Sequence, residues 1–228
     1  MDTLKSIWNG LVGWTQAEWS ALGSFLSGAG TLIGAFAVFA AAWMGSKTFE
    51  SWRRQKLSER RIDQAERILT AAYKVRSGLR IVRNPAVFHH ETATAEEHLR
   101  RDGEWNKIAD GETEQRRYID AQVIYDRING RREDRISLQE CQPMARALFG
   151  ENLEQAIALL DRQFWNVQVA VEGRLRGDLS AERRKEIEAA IWEEYPSSEE
   201  NEMDKTIAEQ VRIIEEICVP VLQLDNKN

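Results

Sequence analysis

Cysteine is scarce in this chain: Cys141 and Cys218 are the only two in 228 residues, and no CxxC pair occurs. That excludes a disulfide framework and a thiolate metal centre, and it suits a reducing compartment. Histidine is nearly as rare. His89, His90 and His98 lie near Glu91, Glu96 and Glu97, but without the HExxH or Cys/His spacings that converge on a metal. The sequence also lacks a nucleophile elbow, and its GAGTLIG stretch has no preceding strand, so it is not a dinucleotide-binding loop. No cofactor and no metal are expected.

The absence with the largest consequence is of charge. From Trp19 to Ser46, 28 consecutive residues carry none, with Glu18 and Lys47 as the bounding charges. A hydrocarbon core roughly 30 Å thick needs about 20 apolar helical residues, so the segment over 20–46 is long enough to span a bilayer. Trp14 and Trp19 precede it and Trp43 and Trp52 follow it, as membrane-interface anchors should. A cleaved signal peptide would have a short basic start; here Lys5 is set against Asp2 and Glu18. Residues 1–19, with Leu4, Ile7, Trp8, Leu11 and Val12 at helical spacing, read as an amphipathic segment on the outer surface or dipping into the bilayer.

Charge is unevenly distributed elsewhere. Net charge is −1 over residues 1–46, +7 over 47–83 and −12 over 84–228. An acidic body offers no broad basic face, so direct DNA binding is not expected. Lys47, Arg53, Arg54, Lys56, Arg60 and Arg61 follow the apolar run. They predict an inner-membrane, single-pass protein with its N-terminus outside and its C-terminal domain in the cytoplasm. The same six residues are candidates for contact with lipid headgroups. Gly30 and Gly34 form a GxxxG pair, extended by Ser27 and by Ala37 and Ala41, a pattern that lets helices approach closely and predicts a homo-oligomer.

Beyond the span the pattern is all-α. A basic neck helix over 47–84 carries Ile68, Ala72, Val75, Leu79 and Val82 at steps of three and four, suiting packing within the body or between protomers. An acidic helical domain over 85–228 follows. Its helices are expected over about 92–101, 112–129, 136–149, 151–174, 180–194 and 199–219, punctuated by Gly103, Gly130, Gly150, Pro196 and Pro220. Leu153, Ile157, Leu160, Phe164, Val167 and Val171 form one core stripe, and Met203, Ile207, Val211, Ile214 and Ile217 another. Trp105, Trp165 and Trp192 are expected in the same core.

Arg83, Asn84 and His89 fit the pattern Arg-polar-x(4)-His. This resembles the motif of the HEPN ribonucleases, an all-α family, and the resemblance implies metal-free RNA cleavage with Arg83 and His89 in the catalytic roles. Pro85 within the motif departs from the family's pattern. The stretches WRRQKLSER, QAERILTAAYK, QPMARALFG and RQFW resemble those of bacterial and phage-associated proteins that join an N-terminal anchor to a cytoplasmic helical domain. A similar architecture occurs among the membrane effectors of retron-type anti-phage systems. The expectation is therefore a membrane-tethered interaction module that self-associates and binds a cytoplasmic protein, with a membrane-perturbing antiviral effector as the alternative and a ribonuclease as the third reading.

Overall fold

A computed structural model describes residues 15–108, 111–177 and 179–223. The described residues form seven α-helices and no strand. They are α1 (Gln16–Val82), α2 (His89–Arg101), α3 (Glu112–Asn129), α4 (Arg132–Phe149), α5 (Glu151–Leu175), α6 (Ala181–Ile191) and α7 (Glu202–Gln223), with a 3₁₀ turn at Trp105–Lys107. Trp14 and most of the amphipathic segment expected over 1–19 lie outside the described residues; Gln16–Trp19 open α1.

Two compact units divide the chain after Ser58. Of the first, nearly all the described residues belong to the N-terminal part of α1. Neither proline nor a buried contact interrupts it, and its large side chains are exposed on all sides. This is one helix long and apolar enough to cross a membrane.

The second unit, from Glu59, is the helical body. Its first helical stretch is the rest of α1, where Ala65, Ile68, Ala72, Val75, Leu79 and Val82 are each at most 1% exposed. The compact body thus takes in the later part of the stretch read as a neck over 47–84. The apolar stripe of the neck is the body's own core, buried with the stripes of α5 and α7, and it is not a seam between protomers. Asn84 and Pro85 end α1, because a residue before proline is driven out of the α region, and the Asn84 side-chain oxygen accepts from the Ala86 N–H at 2.9 Å.

All six residues of the α5 stripe, from Leu153 to Val171, are buried. At Gly150, between α4 and α5, φ is +97°, a left-handed conformation that glycine adopts without the penalty a Cβ brings. In α7, Ile207, Val211, Ile214 and Cys218 face the core. The helix runs through Pro220 to Gln223, beyond the end expected near residue 219. Trp165 corrects another expectation. It is 53% exposed, because Phe164 and Val167 take the core-facing positions and leave it on the outer face of α5. Trp192 packs against the core and Trp105 is half-buried.

Candidate functional site

In the first unit, Phe25, Leu32, Ile33, Phe36, Val38 and Phe39 are each more than 70% exposed. In water that surface would be strongly unfavourable, since apolar burial is worth about 25 cal/mol per Å². The hydroxyl groups of the stretch are dealt with locally. Ser20 donates to the Ala17 carbonyl, Ser24 to Ser20, Thr31 to Ser27, Ser46 to Trp43 and Thr48 to Met44, all at 2.8–3.0 Å. Such back-bonding removes polar donors from an apolar medium. Ser27 makes no such bond among the described residues.

The position of Ser27 is informative. Gly23, Ser27, Gly30, Gly34, Ala37 and Ala41 follow one another at steps of four and three, which places all six along one face of α1. Ala37 and Ala41 thus continue the glycine face. A Cβ built at Gly23, Gly30 or Gly34 meets nothing within 4 Å, so the chain's own packing does not require glycine there.

Past the apolar stretch the aromatic and basic residues interleave. The Lys47 ammonium lies 4.1 Å from the Trp43 ring centroid, and Phe49 and Trp52 are 5.8 Å apart. Trp19, Trp43 and Trp52 are about half exposed. Lys47, Arg53, Arg54 and Lys56 are exposed in the first unit, with Arg54 3.9 Å from Glu50. Arg60 and Arg61 belong to the body, where the Arg61 guanidinium lies 5.4 Å from the Phe149 ring of α4.

Arg83 directly follows α1 and is buried in the body. It is 1% exposed and its donors are used inside the body. Nε donates to the Ala190 carbonyl at 3.0 Å, Nη2 to those of Ala189 and Trp192 at 2.9 and 3.0 Å, and Nη1 to Asp204. Asp204 in turn accepts from the Glu194 N–H at 2.9 Å. Asn201 completes the arrangement, donating to Ala189, Trp192 and Tyr195 carbonyls while its side-chain oxygen accepts from the N–H groups of Met203 and Asp204. Carbonyls at the end of α6 and N–H groups at the start of α7 are thereby satisfied together. His89 sits exposed in the first turn of α2. The geometry gives the arginine of the ribonuclease-like pattern a structural task. Sequence reasoning missed Asn201 and Asp204, and only an Asn-Glu-Met-Asp run before an apolar stripe, an N-cap pattern, could have pointed to Asn201.

A second polar cluster fixes the segment between α1 and α2. Arg127 of α3 donates to both Glu91 carboxylate oxygens at 2.8 Å and to the Asn84 and Ala86 carbonyls at 2.7 Å. Bonding to Arg127 outweighs desolvation and holds the Glu91 carboxyl below its ordinary range. A carboxyl lowered by folding stabilises above its unfolded pKa, and that contribution is lost as pH falls through the lowered folded value. Glu91→Gln should therefore melt below wild type at neutral pH, by the equivalent of about 1 to 2 kcal/mol. The gap should close as pH falls through that lowered value, which thermal melts carried into the acid range would check. Nearby, His98 Nδ1 lies 2.9 Å from Asp126.

Both thiols are buried. Burial pushes Cys141 up, and Cys218 up to about 12. Comparison with family models, with curated proteins and with solved structures finds no match.

Proposed function

We propose that this chain is an inner-membrane, single-pass interaction module that self-associates through its span, with the N-terminus outside and the acidic body engaging a cytoplasmic protein partner. The observation that carries this reading is the face of six small residues along α1, with bulky residues such as Phe25, Leu32 and Phe36 on the opposite side. Lipid offers no hydrophobic drive between helices, so association depends on close backbone approach and interhelical hydrogen bonds. Ser27, whose hydroxyl finds no carbonyl on its own helix, is placed to bond across such an interface. Orientation rests on the basic residues that follow the apolar stretch.

The test is crosslinking of the full chain in membranes. Gly30→Ile with Gly34→Ile should abolish the oligomer ladder, since each β-branched side chain forces the backbones apart. A Cβ at either position meets nothing within 4 Å among the described residues. An unchanged ladder sinks the interface. Ser27→Ala should weaken the oligomer less, by about 1 kcal/mol.

A further inference from the structure

A groove of about 470 Å³ opens in the body where α6 meets the start of α7. Ala189, Ala190, Pro196 and Met203 give it an apolar floor, and its size lies within the range of about 300 to 1,000 Å³ that binding sites occupy. The floor is held from beneath. The Ala189 carbonyl accepts from Arg83 at 2.9 Å and from Asn201 at 2.8 Å, and Ala190 and Met203 pack on the core. The groove therefore exists before any occupant arrives, and binding there does not bear the cost of shaping it.

Its rim is acidic. Glu182, Glu186, Glu200 and Glu202 are exposed along it, and Lys185 is the one cation of the lining. Lys185 lies 3.8 Å from Glu200, Arg183 pairs with Glu186 at 2.8 Å and Lys205 with Glu202 at 2.7 Å. Exposed pairs of this kind contribute little, so a partner's cations can replace them. Glu182 has no hydrogen bond or ion pair among the described residues. Residues 182–204 carry nine acidic and three basic side chains, an excess of six, of which Arg80 and Arg83 offset two by pairing with Glu193 and Asp204. A cleft bordered by one sign of charge concentrates groups of the other.

The spacing defines the occupant. Glu182, Glu186 and Ala189 follow at steps of four and three on one face of α6, so the two carboxylates stand about 6 Å apart along the axis, with the apolar floor one turn beyond. A small amine meets the carboxylates but leaves the floor empty. Arginines or lysines one turn apart on a partner helix, followed by an apolar side chain on the next turn, match both in register. We infer that the groove between α6 and α7 seats a basic amphipathic helix of the cytoplasmic partner, an inference that rests on the proposed reading of the acidic body as the partner's surface.

The full chain in nanodiscs of zwitterionic lipid, with empty nanodiscs as the blank, is titrated against a fluorescein-labelled peptide that carries arginines one helical turn apart and a leucine on the next turn. Saturable one-to-one binding that weakens with added salt is expected. Replacing the leucine of the peptide by serine should weaken it about tenfold, the loss of one buried apolar side chain. Ala189→Phe, which fills the floor and keeps every charge, should do the same. Glu182→Gln should weaken binding about fivefold, the contribution of one exposed ion pair, and lower the melting temperature by no more than about 2 °C. Equal affinity for the leucine and serine peptides overturns the inference, whatever the fold of the Ala189→Phe variant, and so does the absence of saturable binding to wild type. Affinity unchanged in both variants overturns the groove and leaves the acidic body as the partner's surface. The oligomer ladder in membranes, read on the same variants, reports self-association separately from any of these results.

Discussion

Replacing Arg83 by methionine is expected to lower the melting temperature of the body by roughly 10 °C. The side chain is 1% exposed and is bonded to Asp204 and to three carbonyls at the end of α6. Methionine replaces the aliphatic stem and stops about where Nε lies, with neither the charge nor the donors. The change leaves Asp204, 17% exposed at its side chain, without its cation and strips those carbonyls of a donor. Breaking such a buried pair costs about 3 to 5 kcal/mol, and each kcal/mol shifts a domain of this size by about 2 to 4 °C. Arg83→Lys should recover only part of the loss, because one ammonium cannot reach the same set of acceptors. Thermal melts followed by circular dichroism measure both. A melting point within 2 °C of wild type for the methionine variant would remove the structural assignment and return Arg83 to the catalytic reading.

Placing two charges in the apolar stretch should release the protein from membranes. Leu32→Arg with Phe36→Arg changes two residues that are 73% and 77% exposed and lie away from the face of small residues. At the centre of a span each arginine costs about 2.5 to 3.5 kcal/mol, and the lost leucine and phenylalanine add to this, so the pair opposes insertion by about 6 kcal/mol. Carbonate extraction and flotation should find the variant in the aqueous fraction. The melting transition of the body should be unaltered, since these positions lie in the other compact unit. Persistence of the double variant in the floated membranes would mean that something other than this helix holds the chain there.

How far the sequence could be read follows from the range of each interaction. The all-α class and the stripes of α5 and α7 were legible because apolar side chains at helical spacing carry their own signal. Helix ends were legible where a local residue sets them, as at Gly150 and Asn84-Pro85. The end of α6 was not. Its last carbonyls are capped by Arg83, more than a hundred positions earlier, and by Asn201, so the helix stops at Ile191 instead of continuing toward Pro196. For the same reason Arg83 looked catalytic beside His89: its partners are remote in sequence, and a two-residue pattern says nothing about them.

The burial of both thiols has a practical consequence for mapping this chain. Cys141 is 8% exposed and Cys218 is fully enclosed, and both are held in the protonated form that alkylating reagents attack poorly. The native protein therefore serves as its own silent background. A single cysteine introduced at an exposed position such as Ser58 supplies the reactive handle, and a membrane-impermeant maleimide then reports which side of the bilayer it occupies without prior removal of the natural cysteines.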